Sequence, residues 1–157
     1  MMPELKKRIQ RIMEIKIKKV HTLLDLVISA VVLAAGIGVY FVLPGWGILF
    51  GLIGILLFAF YKRSYRRVGD RTSLKQKDQD LALASRDAVM AFLQGKSDEL
   101  ELSPAGEGDH LWLDVYYNAE SAVAYAQLYD VAENRFDPAT QLVELKGDMA
   151  RKLITQL

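Results

Sequence analysis

The chain contains no cysteine, and this absence removes several kinds of chemistry at once. Disulfides, thiol nucleophiles and cysteine metal ligands are excluded, which is compatible with a reducing cytoplasm. The two histidines, His21 and His110, lie far apart in the sequence, so no zinc ligand set can be assembled at normal spacing. Glycine-rich phosphate loops and the GxSxG and HExxH motifs are also missing. The sequence therefore predicts a protein that is not an enzyme and that holds no metal ion or cofactor.

Charge is absent from two long apolar stretches of the chain. Residues 26–43 carry no charged side chain, and neither do residues 46–61. A helix rises about 1.5 Å per residue, so each stretch covers most of a hydrocarbon layer that is ~30 Å thick. A short turn with proline and glycine separates the two stretches. We therefore expect residues 21–61 to form a membrane α-helical hairpin that crosses the lipid bilayer twice.

Small residues recur within both apolar stretches. Ala30, Ala34 and Gly38 are spaced by four and share one helix face, and Gly47 and Gly51 form a GxxxG pattern. Small side chains let apolar helices approach closely in lipid. The spacing predicts tight contact, either within the hairpin or between the copies of a homo-oligomer.

Basic residues flank the hairpin on both sides, whereas its turn is uncharged. Lysine and arginine near the ends of membrane helices stay on the cytoplasmic side, so both termini are expected in the cytoplasm. Residues 1–20 are predicted to be a basic amphipathic cytoplasmic segment, either a helix on the inner leaflet or an extension of the first span. Residues 62–77 are predicted to be a basic linker.

Acidic residues dominate the second half of the chain, although the formal net charge of the whole is only +1. Residues 78–157 therefore predict an acidic cytosolic domain. The acidic charge argues against non-specific binding of long nucleic acid, because that binding needs a basic footprint. The basic first half is instead suited to anionic lipid headgroups.

The periodicity of residues 78–157 predicts a small α+β domain with the element order α-β-β-α-α. A first helix is expected from Asp78 or Asp80 to Gln94, because Gly95 follows as a helix terminator. Residues 99–102 and 111–117 alternate between apolar and polar side chains and predict two strands.

The last two predicted helices are less distinct. Residues 119–133 are rich in alanine, glutamine, glutamate and leucine, which favours a helix. Residues 122–131 also fit a period of two, so a strand remains open there, with helix preferred. Asp137 and Pro138 are typical of a helix start and open a third helix that runs to Ile154, with Gly147 as an interruption.

Aromatic and polar side chains crowd the junction between the predicted strand and the helix that follows it. A helix N-terminus suits an anion or a phosphate, and aromatic rings offer stacking surfaces for bases. Arg86, His110 and Arg135 would add positive charge if the fold brings them near. The alternative is that these aromatic residues belong to the core or to an interface. The candidate ligand-binding residues are Arg86, His110, Trp112, Tyr116, Tyr117, Asn118, Ser121, Tyr125 and Arg135.

The layout of a hairpin at residues 21–61 and a compact domain at residues 78–157 resembles the small membrane effectors of type III CRISPR systems. The resemblance covers arrangement, size and topology across the whole chain. It implies a bacterial inner-membrane protein with a cytosolic domain that binds cyclic oligoadenylate. It also implies assembly as a homotetramer and an antiviral role in which the ligand perturbs the membrane helices.

Two further interpretations of the sequence remain open. One is a non-enzymatic membrane scaffold whose acidic domain docks a cytosolic protein partner. The other is an accessory subunit of a larger membrane machine, with the hairpin packed against other spans.

Overall fold

A computed structural model describes residues 15–62, 64–133 and 135–157, and it divides into two compact units. Lys18–Arg66 forms the unit that contains the apolar stretches. Arg67–Leu157 belongs to the second unit. Each unit is described by itself below.

The first unit contains two apolar helices, α1 (Leu23–Tyr40) and α2 (Pro44–Phe60). Thr22 and Asp25 begin α1 with a capping box, in which each side chain accepts a hydrogen bond from the backbone N–H of the other. Pro44 begins α2, where its missing N–H is not needed. By length and composition α1 can cross a membrane, whereas α2 is a shorter apolar helix.

Glycines bring the backbones of α1 and α2 together. A Cβ atom added to Gly47 would lie 2.3 Å from the Cα of Tyr40, and one added to Gly36 would lie 2.7 Å from the backbone nitrogen of Gly51. Ala30, Ala34 and Gly38 are instead exposed on the outside of the helix pair. Of the small residues in the predicted patterns, Gly47 and Gly51 lie at contacts within the hairpin, whereas Gly36, which was not among them, provides the approach to Gly51. Ala30, Ala34 and Gly38 leave a small face on the outside.

Two short strands flank the helix pair, β1 (Ile17–Val20) and β2 (Ser64–Arg67), and they pair with each other. The helix expected over residues 1–20 is therefore wrong for Ile17–Val20, while residues 1–14 lie outside the described residues. The β-branched Ile17 and Val20 favour a strand, and β2 supplies the backbone partner that a helix prediction did not foresee.

The second unit is an α+β arrangement with an antiparallel sheet, as the sequence predicts at the level of class. Its strands run in the order β3-β4-β5-β6, and β7 also pairs with β5. Helices α3 and α4 supply Phe92 and Leu153 to the core, where they meet Leu113 and Leu128 of the sheet. The elements are β3 (Lys75–Leu81), α3 (Arg86–Leu93), β4 (His110–Asn118), β5 (Val123–Ala132), β6 (Arg135–Pro138), β7 (Val143–Lys146) and α4 (Asp148–Gln156).

The predicted order α-β-β-α-α is wrong at its start. The expected helix begins only at Arg86, after a short 3₁₀ turn, because Lys75–Leu81 is a strand that pairs with β4. Backbone pairing holds this polar strand, which has little apolar alternation of its own. Residues 99–102 do not form the predicted strand, and Leu100 is buried from an irregular segment. The predicted strand at residues 111–117 is confirmed as β4.

The helix preferred for residues 119–133 is also wrong, because Val123–Ala132 forms β5. Its alanines and leucine favour a helix only weakly, and pairing with strands on both sides overrides that preference. The third predicted helix is correct only after Gly147. Strands β6 and β7 occupy its first half, and Gly147, at a φ of 61°, separates β7 from α4.

Candidate functional site

An aromatic row runs across the sheet face that points away from the core. Along β4, the side chains of Leu111, Leu113 and Val115 are buried in the core, so the alternate residues lie on the opposite face. Neither of the described helices α3 and α4 contributes to this face, since both pack on the core side. We call the aromatic residues on it the aromatic row: Trp112, Tyr116, Tyr125, Tyr129 and Phe136.

The strand register brings the members of the aromatic row next to one another. Tyr116 lies opposite Tyr125, and Trp112 lies opposite Tyr129. Side chains directly opposite on antiparallel strands have Cβ atoms about 4.5–5.5 Å apart. Phe136 meets Trp112 edge to face, with the ring centroids 5.8 Å apart, and is 55% exposed. Trp112, Tyr116 and Tyr129 are partly buried and Tyr125 is buried, so Phe136 is the member of the row whose ring is most exposed.

Carboxylates lie beside the aromatic row on β3 and within it on β4. Asp78 and Asp114 lie opposite each other, and Asp114 accepts a hydrogen bond of 2.9 Å from the side chain of Gln76. His110 forms a 3.2 Å contact with Asp80. Burial raises the pKa of Tyr129, and the nearby charge of Asp114 raises it further, so this phenol stays protonated. Asp114 and Gln127 therefore lie between the two aromatic pairs of β4 and β5, and Asp78 and Asp80 on β3 form an acidic border beside them.

A pocket of about 250 Å³ lies at the Tyr125 end of the aromatic row. Residues from the end of β2 and the segment after it, from the turn before β5, from β5 itself and from β7 line it. Charged side chains of both signs and several hydroxyl groups face this space. The polar lining residues are Arg67, Asp70, Thr72, Ser121, Tyr125, Glu144 and Lys146.

Glu144 is the centre of the hydrogen bonding in this pocket. Its Oε1 atom accepts from the Nη1 of Arg67 at 3.0 Å and from the hydroxyl of Tyr125 at 3.0 Å. The Nζ of Lys146 lies 3.3 Å from the same oxygen. One carboxylate oxygen thus holds two cations and a phenol.

The pKa shifts in the pocket follow from these contacts. Hydrogen bonding with the Tyr125 hydroxyl and the charge of Glu144 raise the pKa of Arg67, so it stays cationic. Burial is the main cause that raises the pKa of Tyr125, which therefore remains a hydroxyl donor. Hydrogen bonds from the backbone and the side chain of Thr72 lower the pKa of Asp70, so its carboxylate stays ionised.

The structure brings together only part of the candidate site from the sequence. Trp112, Tyr116 and Tyr125 belong to the aromatic row, His110 lies on the same face, and Ser121 lines the pocket. These residues come from one hairpin, β4 and β5, so their proximity follows from the pairing of two neighbouring strands.

The remaining candidates lie elsewhere. Tyr117 packs against the core, and Asn118 stabilises the turn by accepting from the N–H of Ser121. Arg86 forms a two-pronged ion pair with Asp130, at 3.0 and 3.1 Å. Arg135 is exposed and pairs with Asp137. The helix N-terminus expected at Asn118 does not exist, because a tight turn joins β4 directly to β5.

Sequence reasoning missed the charged residues of the pocket. Arg67 falls in the predicted linker, and Glu144 and Lys146 fall in a predicted helix. The alternation of residues 143–146 between apolar and charged side chains was the available indication of a strand there. Within residues 15–62, 64–133 and 135–157, no three His, Asp or Glu side chains are grouped so that they could hold a metal ion.

No protein family, curated protein or solved structure matches this chain.

Proposed function

We propose that this protein is a two-span inner-membrane effector whose α+β unit binds cyclic oligoadenylate and perturbs the hairpin in antiviral defence. The aromatic row is the observation that carries the proposal. Stacking of a base on an aromatic side chain contributes roughly 1–3 kcal/mol, and it needs no basic footprint. An acidic border is therefore compatible with a ligand that is held mainly by its bases.

The apolar surface of the first unit supports the membrane part of this proposal. Large apolar side chains remain exposed all around the helix pair, such as Leu23 at 79%, Trp46 at 59% and Phe60 at 78%. An exposed apolar area of this kind is unfavourable in water and favourable in lipid. The hairpin then spans the bilayer with both ends on the cytoplasmic side, since basic residues flank it.

Assembly as a homo-oligomer fits the same proposal. A cyclic ligand with repeated bases is matched by a symmetric assembly, in which each copy presents the same site to one repeat. The outer small face of α1, with Ala30, Ala34 and Gly38 exposed, offers a surface where the helices of different copies can approach closely.

Reporter fusions test the topology. A reporter inserted at Gly45 is expected to lie outside the cytoplasm, and a reporter fused after Leu157 is expected to lie inside it. The physical reason is that the basic flanks remain with the cytoplasmic leaflet while the uncharged turn crosses. An exported C-terminal reporter, or a cytoplasmic one at Gly45, would contradict the two-span arrangement.

Titration of the full chain in lipid nanodiscs tests ligand binding. Cyclic tri-, tetra- and hexa-adenylate are added, and heat and tryptophan fluorescence are recorded. We expect one of these ligands to bind, and Trp112→Ala to weaken that binding about 5- to 150-fold, the range for one lost stacking contact.

Trp46→Phe is the matched control, because Trp46 is exposed at the start of α2 and lies outside the aromatic row. Its dissociation constant should equal that of the wild type. Absence of binding with all three ligands rules the proposal out, and equal affinity for wild type and Trp112→Ala rules out the aromatic row as the site.

The acidic border favours a second candidate, a membrane scaffold that docks a basic segment of a cytosolic protein. Asp78, Asp80 and Asp114 lie on one face in neighbouring strands, which suits a row of lysine or arginine side chains. Stable stoichiometric co-purification with a basic partner, lost on replacing these aspartates with asparagine, would favour this candidate over the effector.

A further inference from the structure

Arg67 is the residue at which the chain passes from the unit of the apolar helices to the α+β unit. Its backbone ends β2, the strand that follows α2 in the chain, and its side chain lies in the pocket of the second unit. The same residue thus belongs to the strand that leaves the hairpin and to the site next to the aromatic row. Because Arg67 is the last residue of β2, a change in its side-chain contacts takes place at the end of that strand.

Arg67 also covers the last ring of the aromatic row. Its guanidinium carbon lies 5.8 Å from the ring centroid of Tyr125, and Tyr125 is only 2% exposed. Phe136 at the other end of the row is 55% exposed. A base can therefore stack on Tyr125 only if Arg67 leaves the ring.

Glu144 holds Arg67 in this covering position with a contact that a phosphate can replace. The Arg67–Glu144 ion pair is partly exposed, with side chains 38% and 24% accessible. A partly exposed pair of this kind contributes little stability. A phosphate offers more acceptor oxygens and matches the planar fork of an arginine, so it competes well for the same guanidinium. Lys146 lies beside the same carboxylate oxygen and would meet the same phosphate.

We propose, resting on the function proposed above, that a phosphate of the bound oligonucleotide replaces Glu144 as the ion-pair partner of Arg67 and Lys146. This exchange is the relay: it transmits ligand binding in the pocket to β2 and the hairpin. The exchange uncovers Tyr125 for a base while it changes the side-chain contacts at the end of β2. A ligand shifts a conformational equilibrium only by binding one state better than the other. The covered and uncovered states of Tyr125 supply that difference.

Glu144→Gln in the full chain in nanodiscs tests the relay, because glutamine keeps the size of the side chain and removes its charge. We expect Glu144→Gln to bind cyclic tetra-adenylate about twofold to fivefold more tightly, in line with the release of one partly exposed ion pair. Hydrogen exchange of the amides of Ser64–Arg67 should already be faster in this variant without ligand. In the wild type the same amides should change their exchange rate only when ligand is added.

Arg67→Gln is the second variant. It should bind the ligand more weakly, and the ligand should no longer alter exchange at residues 64–66. Asp148→Asn is the matched control, since it removes the exposed Asp148–Arg151 pair on α4 without touching the pocket. This control should behave as the wild type in both measurements.

The outcomes separate the relay from the function on which it rests. If the wild type binds none of the cyclic oligoadenylates, the proposed function fails and the relay fails with it. If the wild type binds but Glu144→Gln matches it in affinity and in exchange at residues 64–67, the relay is overturned and the proposed function stands.

Discussion

Gly47→Leu is expected to force the two apolar helices apart and to destabilise the hairpin by about 1–3 kcal/mol, the usual effect of overpacking a tight contact. A Cβ atom at this position would lie 2.3 Å from the Cα of Tyr40 and 2.5 Å from its backbone nitrogen. Backbone atoms cannot rotate away as a flexible side chain does, so the helices themselves must move. Thermal unfolding in detergent micelles, followed by the emission of Trp46 in a Trp112→Phe background, measures the effect.

Gly45→Leu provides a matched control two residues earlier. A Cβ atom at Gly45 has no heavy atom within 4 Å, so the same substitution there should leave the unfolding temperature nearly unchanged. Equal destabilisation by the two variants would show that the close approach at Gly47 does not hold the hairpin together.

Phe92→Ala is expected to lower the free energy of unfolding of the α+β unit by about 3–5 kcal/mol. Phe92 is fully buried between α3 and the sheet, where it packs with Leu113 and Leu128. A domain is stable by about 5–15 kcal/mol in total, so this single truncation removes a large share. Urea unfolding in micelles, with Trp112 as the remaining tryptophan in a Trp46→Phe background, reports the transition of the sheet.

Phe136→Ala removes the same side chain from an exposed position and serves as the control. Because Phe136 is 55% exposed, its loss should change stability by less than about 1 kcal/mol. The comparison uses the unfolding midpoint, since Phe136 touches Trp112 and changes its intensity. A Phe92→Ala midpoint equal to that of Phe136→Ala would place the core of this unit elsewhere.

The elements that the sequence predicted well are those with strong local patterns. The apolar helices follow from two stretches without charge, and β4 follows from the alternation at residues 111–117. Strand β5 was only the second choice for its residues, because its alanines, glutamine and leucine favour a helix and the strands that pair with it lie on other segments. Strand β3 was missed because its residues are almost all polar and it depends on pairing with β4.

The candidate site was predictable to the extent that it is local. Trp112, Tyr116 and Tyr125 come from adjacent strands, and their crowding is visible in the sequence. The Arg67–Glu144 pair joins residues that are 77 positions apart, and no local pattern links them. Only the fold, in which β7 lies beside β5 and Arg67 at the end of β2 contacts both strands, brings these charges into one pocket.

Helix α4 follows the strands of the sheet in the chain, and this position determines how late in synthesis the α+β unit can complete its folding. Leu153 and Ala150 of α4 are fully buried in the core of the α+β unit, and the carbonyl of Leu157 accepts a hydrogen bond from Lys77. The sheet therefore cannot complete its core until residues near 153 have left the ribosome, whereas the apolar helices emerge much earlier. Domains fold as units during synthesis, and pairing between distant segments is slow. Helices α1 and α2 can thus form before the unit that follows them has folded, and that unit completes its folding while the chain already joins it to the helix pair.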